Sequence, residues 1–160
     1  MTTTVSAIRD RIIALIASRT PTSLADDKFR AFRNELGADF RDWAEKHPDA
    51  AFRRFQVREV GDDEGPDVSN GDIERVRVTF EIVIAYPQTH RYGADSAMDR
   101  DDCINADWLL VNAAVGIYGR ANFSGAHDCT PLGAVKTRET GEGVDFMVVE
   151  AQFEYVRSVS

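Results

Sequence analysis

One stretch of strict alternation constrains the fold of this chain more than any other feature. In residues 73–86, IERVRVTFEIVIAY, apolar side chains occupy every second position. The apolar set consists of Val76, Val78, Phe80, Ile82 and Ile84. Most positions between them are polar, so we expect one buried face and one mostly wet face. This pattern is typical of a strand in an antiparallel sheet, because parallel strands are usually buried on both faces.

Three further segments with strand character complete the predicted sheet. Residues 52–60, FRRFQVREV, precede the alternating strand, and the two would form a hairpin with a long loop. Residues 134–158 predict two more strands around the turn TGEG. The inward face of the last strand would carry Met147, Val149, Ala151, Phe153 and Tyr155. We therefore predict two hairpins and about four antiparallel strands.

Apolar positions three and four residues apart predict helices on both sides of the first hairpin. An amphipathic helix is predicted over residues 4–18, and Pro21 helps to end it. Another is predicted over residues 99–118, with Gly119 as the residue beyond its C-terminus. The apolar stripe of this later helix would consist of Ile104, Trp108, Val111, Val115 and Tyr118.

The segment from about Ser23 to Lys46 is also predicted to be helical. Its apolar stripe runs through Phe29, Phe32, Leu36, Phe40 and Trp43. Gly37 lies inside it and could divide two shorter helices, because glycine weakens a helix by about 1 kcal/mol. The order helix, helix, strand, strand, helix, strand, strand predicts an α+β fold in a single domain, residues 1–160. Its antiparallel sheet of about four strands would have helices packed on one face.

Charge and cysteine content narrow the class of protein. A formal net charge of −8 over 160 residues argues against a protein that coats nucleic acid through a basic surface. Arg9, Asp10 and Arg11 interrupt the first apolar run, so we expect no signal peptide and no membrane span. Cys103 and Cys129 form no CxxC motif, and a reducing cytoplasm is the simplest compartment for them.

The sequence predicts no catalytic, cofactor-binding or metal-binding residues. His90, Cys103, His127 and Cys129 could be imagined as a zinc set, but their spacing fits no common structural zinc site. Glycine-rich phosphate loops and a serine-nucleophile motif are missing from the sequence. We therefore expect a protein that is not an enzyme and has no cofactor.

Acidic residues gather at the start of the last predicted helix. Asp99, Asp101 and Asp102 would lie in its first turn, where the helix dipole favours negative charge. Asp101, Asp102 and Asp107 could instead supply paired carboxylates for chemistry. Service to the dipole and to solubility is the simpler interpretation of these side chains.

Residues 61–72, GDDEGPDVSNGD, hold five acidic residues and no basic one. They fit no EF-hand, since Pro66 takes a ligand position in one register and the closing Glu is missing from the other. Two interpretations remain: a solvated hairpin loop, and a loop with an electrostatic role in an assembly. The candidate acids of that role are Asp62, Asp63, Glu64 and Asp67.

Arginines gather on the predicted first hairpin. They are Arg53, Arg54 and Arg58 on its first strand, and Arg75 and Arg77 on its second. If the hairpin pairs as proposed, these five side chains could share one surface. Because arginine suits geometry-specific contacts with carboxylates, such a surface could form an interface between copies of the chain. The alternative is a solvated sheet face with weak surface ion pairs.

The layout resembles that of the tail terminator and tail completion proteins of long-tailed bacteriophages. The resemblance rests on the helix VSAIRDRIIALIA, the strand RVRVTFEIVIAYP, the helix DDCINADWLLVNAAVGIYG and the C-terminal hairpin ending in FMVVEAQFEYVRS. The segment DKFRAFRNELGADFRDWAEKHPDA is less typical of the family. No single motif carries the resemblance, which lies in the order of elements over most of the chain.

The resemblance implies a structural virion protein without catalytic residues, assembled in the host cytoplasm. Such a protein would form a homo-oligomeric ring, expected to be a hexamer. It would bind the tail tube protein on one side and a head-completion or neck protein on the other. Double-stranded DNA would pass through the ring without specific binding, and Asp62, Asp63, Glu64 and Asp67 would repel its phosphates or face a neighbouring ring.

Three other functions fit the same sequence. One is a head-closure or neck adaptor of the same virion. Another, of a different class, is a small α+β ligand-binding domain or enzyme that uses the wet sheet face, with Arg75, Arg77, Thr79 and Glu81 lining a cavity. The third is an accessory protein of a bacterial immunity or toxin system, which no particular residue supports.

Overall fold

A computed structural model describes residues 4–33, 39–64, 73–94, 96–123 and 129–158 of the chain. Its helices are α1 (Val5–Ala17), α2 (Phe40–Lys46), α3 (Pro48–Ala51) and α4 (Ser96–Val115), followed by a 3-10 helix (Ile117–Asn122). Its strands are β1 (Arg30–Ala31), β2 (Arg54–Glu64), β3 (Ile73–Pro87), β4 (Cys129–Thr140) and β5 (Val144–Ser158). None of the described helices has the length and apolar character needed to cross a membrane.

The strands form one sheet in the order β1-β2-β3-β5-β4. All neighbours pair antiparallel except β1, whose two residues pair parallel with the start of β2. The predicted α+β class and the two antiparallel hairpins are therefore confirmed. The described sheet has five strands, because the short strand β1, which the sequence pattern did not predict, adds to the four predicted strands.

The main core lies between the sheet and the helices α1 and α4. The predicted inward sets of β3 and β5 are all buried there. From α1 they meet Ile8, Ile12 and Ile16, and the side chain of Thr4 caps the first turn of that helix by accepting from the backbone N–H of Ala7. These side chains fall on one face of α1 because they are spaced by four residues.

A second, smaller core lies on the opposite face of the sheet, so helices pack on both faces rather than on one. At one end of the sheet the outward positions of β3 and β5 are apolar, with Val83, Phe146 and Val148 among them. Phe40 and Ala44 of α2 cover them. Strands that are apolar on both faces need cover on both, and α2 with α3 supplies it at this end.

The prediction of a helical segment from Ser23 to Lys46 is wrong over most of its length. Within the described residues only α2 is helical there, and Leu36 and Gly37 lie outside the described residues. Phe29 belongs to the main core and Phe40 to the second core, so the stripe is divided between the two faces. The physical reason is that Arg53 and β2 bind the backbone of the segment before α2, as described below.

The last helix begins and ends earlier than predicted. It starts at Ser96, so that of the three aspartates only Asp99 lies in its first turn. It ends at Val115, and Gly119 lies within the 3-10 helix at φ −90° rather than in a left-handed cap. The change of helix type turns Tyr118 outward, and this side chain, predicted to be in the apolar stripe, is 86% exposed.

The acidic segment begins inside the sheet. Residues Gly61 to Glu64 pair with Thr79 to Val76 of β3, beyond a bulge at Glu59 and Gly61. The predicted loop of residues 61–72 is therefore shortened by four residues at its start. Asp67 and the rest of the acidic segment, residues 65–72, lie outside the described residues.

Candidate functional site

Among the described residues, no element covers one part of the sheet on the side away from α1 and α4, and we call this part the open face. It begins where the cover by α2 ends. In the sheet register Glu81 lies between Arg58 of β2 and Glu150 of β5. The next positions outward pair Thr79 with Gln152 and Arg77 with Glu154.

Ion pairs connect neighbouring strands across the open face. Arg58 Nε lies 3.0 Å from Glu81 Oε1, and Arg77 Nε lies 3.7 Å from Glu154 Oε2. Arg41 of α2 reaches over the edge of the face, 2.8 Å from Glu139 and 3.6 Å from Glu81. The side chains of Arg58 and Arg77 are more exposed than their partly covered glutamate partners, and pairs at a protein surface contribute about 0–1 kcal/mol each to stability. Their effect on folding is small, so their charges are available to a partner at little cost.

A shallow depression of about 390 Å³ lies on the open face. It is lined by Thr79, Leu132, Gly133, Ala134, Val135, Glu150 and Gln152. It does not close over Arg75, Arg77 or Glu81, which the ligand-binding interpretation requires to share a cavity with Thr79. The open face is an accessible surface in its geometry, not an enclosed site.

The five arginines predicted to share a surface do not do so. Arg58, Arg75 and Arg77 lie on the open face as expected. Arg54 is half-buried at the end covered by α2, with its guanidinium carbon 5.3 Å from the centre of the Trp43 ring. Arg53 is fully buried and takes no part in any surface.

Arg53 instead forms an ion pair with Asp107 in the interior. Its Nε and Nη2 atoms donate to the two carboxylate oxygens of Asp107 at 2.8 and 3.0 Å. Tyr86 donates its hydroxyl to the same carboxylate at 2.7 Å. The prediction that Asp107 serves the dipole and solubility of a helix start is therefore wrong, because this side chain is fully buried in the middle of α4.

The remaining donors of Arg53 bind the chain segment before β1. The guanidinium donates to the backbone carbonyls of Ser23, Leu24 and Asp27, each at 2.8 Å. A helix would use these carbonyl groups for its own hydrogen bonds. Arg53 itself has φ +58°, a left-handed conformation that costs about 1–3 kcal/mol for a residue other than glycine. The network offsets this cost.

The ionisable groups of the buried network are neither exposed nor shifted toward a reactive protonation state. Burial raises the pKa of Asp107, against the opposing effect of its hydrogen bonds from Arg53 and Tyr86. Burial also raises the pKa of Tyr86 well above its ordinary value and raises that of the Cys103 thiol. All three groups are inaccessible to solvent, so we interpret the network as structural.

The sequence carried a signal for this pair. Arg53 has the same parity as the inward Phe55 and Val57, and Asp107 stands between the inward Ile104 and Val111 at helical spacing. The imagined zinc set finds no support among the residues that the structure describes, where no three potential ligands cluster. His127 lies outside that part of the chain.

Large apolar side chains are exposed on both sides of the sheet. Val135 is 66% exposed on the open face, beside Glu150. On the other side, Leu109 of α4 and Ile117 and Tyr118 of the 3-10 helix point away from the core, and we call these three the outer apolar residues. The described chain therefore presents two chemically different surfaces in opposite directions.

No protein-family model matches the chain, and no curated protein matches it significantly.

Proposed function

We propose that this chain is a structural protein of a phage virion, a tail terminator that forms a ring at the end of the tail tube. It would bind the tail tube protein on one side and the head-completion or neck protein on the other, and let DNA pass. The resemblance in layout suggests this function. The observation that carries it is the open face, the part of the sheet that no described element covers and that bears alternating charges.

The open face suits contacts between proteins better than the binding of a small molecule. Its arginines and glutamates already pair across strands at distances of 3.0 to 4.0 Å. A second protein with similar rows of charge could exchange these pairs for its own, which gives specificity and register more than affinity. The depression on this face is shallow, and Arg58, Arg75 and Arg77 do not line it.

The two exposed surfaces favour a ring over a symmetric dimer. A two-fold dimer uses one self-complementary surface, whereas a head-to-tail contact joins two different surfaces and gives a ring where the rotation between copies closes, or an open filament where it does not. The open face with Val135 and the outer apolar residues lie on opposite sides of the sheet. A copy could therefore present one surface to each of its neighbours.

The acidic segment gains a role within this proposal. Asp62, Asp63 and Glu64 belong to the last residues of β2, and Asp67 follows in the chain. In a ring, acids at the far end of this hairpin would face the channel or the adjoining ring. An acidic channel repels DNA phosphates and keeps DNA from adhering. Replacing all four by Asn or Gln should reduce DNA release or retention, measured by packaging and infectivity.

The first test is the mass of the purified protein across a concentration series, by light scattering or native mass spectrometry. We expect a monomer that becomes a closed ring as concentration rises or when tail tube protein is added. A ring that binds only a head-completion protein would favour the neck adaptor. A monomer or dimer that ignores both partners at every concentration would contradict the proposal.

A mixing experiment tests the head-to-tail geometry. One variant combines Val135→Asp with Glu150→Lys on the open face, and the other combines Leu109→Asp with Tyr118→Asp on the outer side. We expect each variant to stay monomeric, and an equal mixture to form heterodimers and nothing larger, because only one intact surface of each kind remains. Asp102→Lys, an exposed change on α4, is the matched control and should still form rings.

A further inference from the structure

A small cleft lies at the β1 end of the sheet, separate from the open face. Its volume is about 210 Å³. Phe52 and His90, stacked with ring centres 3.9 Å apart, contribute to its lining. This volume is below the roughly 300–1,000 Å³ of sites for drug-sized ligands, so the cleft suits a small ion or a small polar molecule.

Three cationic side chains line this cleft, from Lys28, Arg30 and Arg54. Arg30 and Arg54 are register partners on the parallel strands β1 and β2, so two like charges stand side by side. Like charges directly opposite each other in a sheet destabilise the pairing. An anion between them would offset that repulsion.

Within the described part of the chain, none of these three cations belongs to an ion pair. Asp27 and Asp49 line the same cleft, yet no carboxylate oxygen of the described residues lies within 4.0 Å of the three cationic groups. The Nε atom of Arg54 is buried and finds no hydrogen-bond acceptor among the residues that the structure describes. A buried donor without an acceptor costs about 1–3 kcal/mol.

The neighbours of Arg54 fix its position. Its guanidinium lies over the Trp43 ring at 5.3 Å, a favourable cation–π distance. Asp27 is fixed as well, since its backbone carbonyl accepts from Arg53 at 2.8 Å. The part of the cleft formed by Arg54 and the Asp27 backbone is therefore held in place before any ligand binds, and the three cations of the cleft outnumber its two carboxylates.

We propose that this cleft binds a phosphate group, either as the free ion or as a small phosphate ester. The planar fork of an arginine matches the oxygens of a phosphate, and two forks with one lysine can share a doubly charged oxyanion. Arg30 and Arg54 would hold the anion from adjacent strands, and Lys28 would close it from the preceding loop. The site is independent of the proposed ring.

The test is a titration of the full chain with inorganic phosphate, followed by NMR of the arginine Nε–H signals and by thermal unfolding. Sodium chloride at equal ionic strength is the solvent control. We expect saturable shifts of the Arg30 and Arg54 signals and a rise in Tm beyond that in chloride. Arg30→Gln should weaken phosphate binding about tenfold, since it removes charged hydrogen bonds.

Two further variants are Arg54→Gln, which removes the second arginine of the cleft, and Arg9→Gln, which serves as the control. Arg30 is exposed, so its replacement tests the site even if Arg54→Gln disturbs the packing on Trp43. Arg9→Gln is the matched control, because Arg9 lies on α1 and pairs with its neighbour Asp10. We expect phosphate binding to Arg9→Gln to equal that of the unaltered chain.

Additional ligands distinguish the source of the phosphate. Tighter binding of a nucleoside monophosphate than of inorganic phosphate would assign the site to an ester, and the reverse would assign it to the free ion. The proposal would be overturned by the absence of saturable binding beyond chloride, or by acetate binding as tightly as phosphate. An equal loss in Arg9→Gln, or binding of duplex DNA alone, would also overturn it.

Discussion

Replacing Asp107 by Asn should destabilise the fold more than any conservative change at the surface. The substitution keeps the shape of the side chain and removes its charge. It leaves the guanidinium of Arg53 buried without a counter-ion, where two charged hydrogen bonds of 2.8 and 3.0 Å existed before. The bond of 2.7 Å from the Tyr86 hydroxyl also loses its charged acceptor.

The expected loss is about 3–5 kcal/mol, the cost of removing one partner of a buried ion pair. Asn retains one oxygen acceptor, so we place this variant at about 3 kcal/mol, the lower end of that range. Stabilities of whole domains are about 5–15 kcal/mol, so the change would remove a large part of the total. In a chain of this length each kcal/mol corresponds to about 2–4 °C, and Tm should fall by about 6–12 °C.

The assay is urea unfolding at equilibrium, with Asp102→Asn as the control. Asp102 is an exposed aspartate on the same helix, and its replacement should change the free energy of unfolding by less than about 0.5 kcal/mol. A double-mutant cycle with Arg53→Met and Asp107→Leu should show strong coupling, because the double variant leaves no buried charge unpaired. Additive losses, or an Asp107→Asn variant as stable as the control, would refute the buried pair as the support of this core.

Three further predictions follow from buried or crowded groups. Asp145 accepts from Arg138 at 2.7 Å and from Gln88 at 3.0 Å, and although burial acts to raise its pKa, these bonds and nearby Arg100 lower it overall. Asp145→Asn should therefore lower the free energy of unfolding by about 2 kcal/mol, measured by urea unfolding at pH 7. The difference from the unaltered chain should be constant above about pH 4, near the pKa of an unfolded aspartate. It should disappear as the pH falls through the lowered pKa of the folded carboxyl. Burial raises the pKa of Cys103, so iodoacetamide should modify it far more slowly in the native protein than in urea, as peptide mass spectrometry would show, and equal rates would contradict its burial. A methyl group on Gly119 would meet the carbonyl oxygen of Ala114, so Gly119→Ala should cost about 1–3 kcal/mol by thermal unfolding, whereas Gly61→Ala, which meets nothing within 4 Å, should be nearly neutral.

The strands of the main hairpins could be predicted from the sequence because their alternation is regular. Burial of one face and solvation of the other produce a period of two, which β3 keeps over residues 75–82 and β5 over residues 149–156. The first helix has an equally regular period. Both types of element are determined by local pattern, and here the tertiary contacts agree with the pattern.

The segment before α2 could not be predicted in the same way, since its conformation depends on residues far along the chain. Its apolar side chains have helical spacing, but Phe29 and Phe40 pack on opposite faces of the sheet. The backbone N–H of Phe32 donates to the carbonyl of Phe55, and the guanidinium of Arg53 donates hydrogen bonds to three backbone carbonyls within residues 23–27. These long-range hydrogen bonds outweigh a weak local helix preference.

The wrong prediction that Arg53 belongs to a surface also changes which residues can form the candidate interface. In the predicted strand of residues 52–60, adjacent side chains would point to opposite faces, so the sequence pattern itself separates Arg53 from Arg54. The parity that puts Arg53 with Phe55 and Val57 puts Arg58 with the outward set. A buried arginine requires a buried acid, and Asp107 is the aspartate of α4 at a core position. The pair could therefore be deduced by combining the strand period of two with the helical period of α4. The interface hypothesis then depends on Arg58 and on the arginines of β3, which are exposed enough to exchange their glutamate partners for those of another chain.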